Sequence, residues 1–240
     1  MTLQGTVRKA LLLLGVLIAS IGLVWYLYLS VITPENAALF VEPMTLVIGS
    51  AVAGLLLGLK TNAEPETAHL TAPPCVVAIG ILLGSSSVLI EKAYPGLVVH
   101  AVGVTITTFC ALLLVYSTRL IKPSNNTSLF FTAAILGILL LYLVTGFLTV
   151  AGFSGAIGFI HESGSHGIPL SMFIVGIASY NLVLDFDFVE QGIQRGNPKQ
   201  MEWVGAFGLM VSLIWLYVGL LHLLWQLLLS SKKTVDFDED

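Results

Sequence analysis

Seven apolar runs, each near the roughly 20 residues that a spanning helix needs, fill most of this 240-residue chain. They extend approximately over residues 10–32, 43–59, 74–90, 97–116, 129–150, 168–188 and 204–229. A backbone in lipid must satisfy its own polar groups, and for runs of this length the α-helix does so within each segment. Charged residues make up only 10% of the chain and hydrophobic ones 56%, with a mean hydropathy of +0.94. A soluble domain carries about 25% charged residues, so a globular enzyme is excluded. The expected fold is all-α: a polytopic membrane protein, a seven-transmembrane-helix bundle forming a single integral membrane domain over residues 1–240. A short N-terminus (1–9) and an acidic C-terminal tail (230–240) flank it.

The first run is too long for a cleaved signal peptide. It leads into Thr33-Pro34-Glu35 rather than a small-residue cleavage site, so it reads as a retained helix. Cys75 and Cys110 both fall in apolar runs and read as buried free thiols, with no disulfide framework implied. Basic residues set the orientation. The N-terminus and the loops after helices two, four and six hold Arg8, Lys9, Lys60, Arg119, Lys122, Arg195 and Lys199, seven in all. The opposite side holds Lys92, Lys232 and Lys233. The expected placement is the cell membrane, multi-pass, with the N-terminus cytoplasmic and the C-terminus extracytoplasmic. The net charge of −4 comes largely from the acidic end Asp236-Phe237-Asp238-Glu239-Asp240 and implies no nucleic-acid partner. The lipid bilayer is the one surrounding that composition demands, and a membrane protein partner is compatible with it.

Two short motifs invite an enzymatic reading and fail it. Gly152-Phe153-Ser154-Gly155 spells the G-x-S-G of rhomboid proteases, with His222 imaginable as a base. A serine nucleophile needs that base within hydrogen-bond reach, whereas Ser154 falls in a connecting loop of a chain with 23 glycines. His161-Glu162-Ser163-Gly164-Ser165-His166 spaces its histidines five apart across a glycine, and a zinc helix needs i and i+4 on one face. No catalytic residue and no metal site is assigned. The expectation is a non-enzyme that needs no cofactor beyond transiently bound calcium.

The chemistry-bearing stretch is Asn181-Leu182-Val183-Leu184-Asp185-Phe186-Asp187-Phe188-Val189-Glu190-Gln191. It sets two aspartates at the end of an apolar run, where a carboxylate costs about 2.5–3.5 kcal/mol even on insertion scales. Helical residues turn by about 100° each, so Asp185 and Asp187 point to nearly opposite faces. Asn181 and Asp185, one turn apart, form one polar stripe; Asp187, Glu190, Gln191 and Gln194 form a second, nearer the interface. A wetted helix end accounts for the second stripe as well as a function does. The first is the functional candidate.

At these residues the chain resembles the Bax inhibitor-1 family (the transmembrane Bax inhibitor motif proteins, with bacterial YccA-like members). Asp185, Asp187 and Val189 fit the family's helix-six pattern, and Asn197-Pro198-Lys199-Gln200-Met201-Glu202-Trp203 and Tyr94-Pro95-Gly96 look like the bacterial branch. The resemblance implies seven helices with the last one central, and a pH-responsive cation (calcium) leak. In relatives an aspartate on helix six pairs with one on helix seven, and two carboxylates in contact cannot both ionise cheaply. Alignment over Ala206 to His222 puts Ser212 at the second aspartate's position and His222 where an arginine is common. Helix seven is therefore expected to carry no carboxylate at all. Lys60 matches a basic residue that can latch the helix-six carboxylate in relatives. The resemblance thus makes Asp185, Asp187, Asn181, Ser212 and Lys60 the pH-sensing or ion-pathway residues. Its other implication is a non-conducting protein that modulates a membrane-anchored protease.

Overall fold

The computed structural model describes residues 1–31, 43–118, 120, 125–150 and 167–238. Among them the chain is helical from end to end: α1 (Leu3–Tyr26), α2 (Pro43–Ala63), α3 (Ala68–Ala93), α4 (Leu97–Ser117), α5 (Asn125–Val150), α6 (Gly167–Gln194) and α7 (Met201–Asp238). A π-helical turn, Leu27–Val31, continues α1. Six helices, all but α5, are long and apolar enough over their described residues to cross a membrane. In α5 the apolar stretch that can be described is Thr127–Ile138. Large apolar side chains such as Leu11, Ile18, Leu56, Val99, Ile106 and Leu114 are exposed, which suits a surface covered by acyl chains rather than water.

Several helices outrun their apolar runs. The third was expected from residue 74, yet α3 begins at Ala68 and carries Pro73 and Pro74 inside it. Prolines are tolerated there because membrane helices can satisfy the freed backbone groups through neighbours and hydroxyl side chains. The long loop expected between residues 61 and 73 shrinks to Glu64–Thr67. Residues 3–9, expected as a terminal extension, form the first turns of α1. There Thr2 caps the helix by accepting from the Gly5 amide through its hydroxyl at 3.1 Å. Cys75 is buried as expected, but Cys110 is exposed on α4, which corrects the second half of that expectation. An apolar run in a bilayer need not be a buried one, because lipid accepts what a soluble core would have to hide.

The chain divides into two compact units. The first comprises Met1–Val98 and Asp187–Val211. Within it α1 approaches α3 closely: a β-carbon added at Gly80 would lie 2.5 Å from the Ser20 Cβ and one at Gly84 2.9 Å from the Val24 Cβ. The α3–α4 turn uses Gly96 at φ 87°, a left-handed conformation open to glycine. Across that turn Glu91 accepts from the Gly96 amide at 2.6 Å and the Val98 amide at 3.3 Å. A carboxylate thus satisfies donors at the positive end of α4. The end of α6 turns through Gly196, again left-handed at φ 66°, with the Asn197 amide donating back to the Gly192 carbonyl.

The second unit comprises Val99–Phe186 and Ser212–Asp240. Its core gathers Ile138 of α5 with Ile174 and Ile177 of α6, and Phe131, Ala134, Ile135, Leu170 and Trp215 pack around them. Phe131 stacks on Tyr180 with ring centroids 3.8 Å apart. Within this unit α6 and α7 run antiparallel, since Ser171 meets Gln226 while Asn181 meets Ser212.

Candidate functional site

The polar stripe of α6 meets α7 inside the second unit. Asn181 and Asp185 are four residues apart, so one helical turn stacks them on one face. Ser212 of α7, 2% exposed, lies between them. Its hydroxyl donates to Asp185 Oδ2 and accepts from Asn181 Nδ2 at 2.6 Å. The chain of donors is thus amide to hydroxyl to carboxylate, with every step aimed at the charge-bearing end. A hydroxyl can accept one hydrogen bond while giving another, which alanine at 212 cannot do. Phe186, beside Asp185 in sequence, lies against Phe109 and Tyr116 of α4, with centroids 6.0 Å and 5.5 Å apart.

Asp187 goes elsewhere, as the 200° turn from Asp185 requires. In the first unit it accepts from Gln191 Nε2 at 2.6 Å, and Gln191 Oε1 accepts from Arg195 at 2.8 Å. Glu190 accepts from Gln194 one turn on at 3.3 Å. These i to i+4 ladders are what a wetted helix end makes. Lys60 occupies the last turn of α2 and is exposed; it belongs to the first unit, whereas Asp185 belongs to the second. Ser154 with its G-x-S-G motif, the His161–His166 stretch, Arg119 and Lys122 lie outside the described residues. So do Glu239 and Asp240, together with the side chains of the tail from residue 232. Among the described residues, no three His, Cys, Asp or Glu side chains come together as a metal site would need.

The structure adds a carboxylate that the apolar pattern hides. Helix α7 starts at Met201, not near residue 204, and so includes Glu202 in its first turn. The expectation that helix seven has no carboxylate is thereby corrected. Glu202 is 2% exposed. One oxygen accepts from the Thr2 amide at 2.9 Å and the Thr2 hydroxyl at 3.0 Å; the other pairs with Lys9 Nζ at 2.6 Å. The Lys9 ammonium also lies 5.4 Å from the centre of the Trp203 ring. Gly5 makes the approach possible, because a β-carbon there would fall 2.3 Å from a Glu202 oxygen. The bonds of Glu202 are to the start of α1, within the first unit.

A multi-pass helical membrane protein with a carboxylate tied into a polar contact between its last two helices is the class that this geometry defines. The chain belongs to the Bax inhibitor 1 like family, whose model matches residues 1–228. Searches of curated proteins and of solved structures give no match.

Proposed function

We propose that this protein is a pH-responsive cation leak channel that passes calcium, with Asp185 as the sensing carboxylate and Asn181 and Ser212 as its polar setting. The observation that carries this reading is the Asn181–Ser212–Asp185 chain, a carboxylate placed within a span and supplied with directed donors. Such groups are expensive in a bilayer and face a bundle interior or a water-filled path. A carboxylate oxygen is also the ligand a hard cation such as calcium takes. Asp187 and Lys60, both in the first unit, enter that reading through the family resemblance alone. The chain sits with the YccA-like branch on the residues from Asp185 to Trp203, and its chemistry is binding and conduction rather than catalysis.

Calcium entry into proteoliposomes tests the reading, wild type against Asp185→Asn. The asparagine oxygen still accepts from Ser212, so the variant keeps the helix contact and loses only the titratable charge. Loss of the pH dependence of entry is the expected outcome.

A non-conducting membrane interaction protein, one that modulates a membrane-anchored protease, is the second reading. Ser212 favours it, since a neutral hydroxyl stands where the resemblance places an acid and no proton is shared between two carboxylates.

We further propose a cytoplasmic N-terminus and an extracytoplasmic C-terminus in the cell membrane, from the seven-to-three division of basic residues. A reporter fused after Asp240 is expected to report export; cytoplasmic reporter activity would mean a re-entrant last segment or six true spans, and would overturn the extracytoplasmic C-terminus.

A further inference from the structure

Fourteen residues along α6 from Asp185, and fourteen along α7 from Ser212, lies a second polar chain in the same unit. Ser171, 3% exposed, donates its hydroxyl to Gln226 Oε1 at 2.7 Å. Gln226 is fully buried, and its Nε2 is 3.1 Å from Nε2 of His222, one turn back on α7. The His222 ring rests against Trp225, with centroids 5.7 Å apart. Ile174, Ile177 and Ala178 of α6 and Leu216 and Leu220 of α7 are buried between the two polar chains. Ten residues, about 15 Å of helix, separate Ser212 from His222.

Hydrogen-bond arithmetic restricts this chain. The Gln226 amide nitrogen is donor only and its oxygen acceptor only. With the oxygen taken by Ser171, the nitrogen faces His222, so His222 Nε2 must be the acceptor and the neutral ring carries its proton on Nδ1. A proton added to the Nε2 lone pair would set N–H against N–H. The conflict is relieved if the Gln226 carboxamide turns over. Its oxygen then accepts from Nε2–H, and its nitrogen donates to the Ser171 hydroxyl oxygen, which has lone pairs to receive it. Both directions leave every one of these groups bonded, and one proton chooses between them.

We propose that Ser171, Gln226 and His222 form a second proton-binding site, in which protonation of His222 Nε2 reverses the hydrogen-bond direction of the chain. It lies at the other end of the α6–α7 pair from Asp185 and stands whether or not the protein conducts. His222 meets Gln226 and Trp225 on α7 among its contacts, with Ser171 of α6 reached through Gln226. The remaining titratable groups whose side chains are described in this unit are His100, Cys110 and Tyr116 on α4, Tyr180 and Asp185 on α6, and Tyr217 on α7. Imidazole is the side chain whose ordinary titration falls between pH 5 and 8.

The test is solid-state NMR of the full chain in bilayers, with histidine and glutamine side chains labelled with nitrogen-15. The signals are assigned by their disappearance in His222→Asn and Gln226→Leu. At high pH the His222 ring is expected to show Nδ1 protonated and Nε2 as acceptor. Between about pH 8 and 5 Nε2 gains its proton, and the Gln226 amide signal is expected to shift with the same midpoint. A neutral ring protonated on Nε2 would overturn the proposal. So would a His222 that does not titrate in this range, or a Gln226 amide that stays constant while His222 titrates. These outcomes are read on the wild-type protein, and the variants serve only to assign its signals. A fold defect in Gln226→Leu would cost only that assignment, for which Gln226→Glu is the substitute.

Discussion

Lys9→Met is expected to lower the stability of the folded protein by about 1.5 kcal/mol, the lower end of what a hydrogen bond to a charged group contributes. Glu202 would be left with the two Thr2 donors and no counter-charge, in a setting where its carboxylate is 2% exposed. The lower end applies because Lys9 itself keeps 16% of its side chain open to solvent. Removing both charges, in Lys9→Met with Glu202→Leu, is expected to restore most of the loss, since an apolar pair in place of a buried ion pair is often neutral. Thermal unfolding of the detergent-purified protein measures both. A single variant that unfolds with the wild type would show that the pair does not hold α1 to the start of α7.

Ser212→Asp is expected to have the largest effect on pH response. The new carboxylate would sit at hydrogen-bond range from Asp185, and two acids so placed give up their protons in two separate steps that belong to the pair. A calcium-entry profile with one step in the wild type should therefore gain a second. The profile is read in proteoliposomes over about pH 5 to 8, where a coupled carboxylate pair can titrate. An unchanged single-step profile in a working leak would mean that positions 185 and 212 do not communicate. Asn181 matters here too, because its amide, which now donates to the serine oxygen, would donate to the introduced carboxylate instead.

The helices themselves were legible, because long apolar runs leave the backbone little choice in lipid. Their ends were not. Residues 68–73, 189–194 and 201–203 are polar or proline-containing, yet continue helices beyond the apolar core. The Asn181–Asp185 stripe could be read from a spacing of four, and Ser212 from the alignment of α7; both are local or family-level signals. Lys9 and Glu202 are separated by 193 residues and stand in what looked like a terminus and a loop, so no periodicity joins them. Ser171 and Gln226, and the link of both to His222, escaped for a different reason. Each is a single polar residue inside an apolar run, and only the antiparallel meeting of α6 and α7 turns them into a chain. The isolated Gln226 was the available signal, since an amide at that depth needs partners. Cys110 shows the reverse error, where an apolar neighbourhood was equated with burial.

Calcium entry into proteoliposomes holding the purified wild-type protein, compared with protein-free vesicles and with Asp185→Asn, tests the channel reading most directly. The wild type is expected to admit calcium in a way that changes between about pH 5 and 8, the range open to a carboxylate perturbed by its surroundings. Asp185→Asn, correctly folded, is expected to lose that change. Entry no faster than in protein-free vesicles at any pH would contradict the channel reading and leave the interaction protein standing. Entry with the same pH profile in both proteins would contradict the assignment of Asp185.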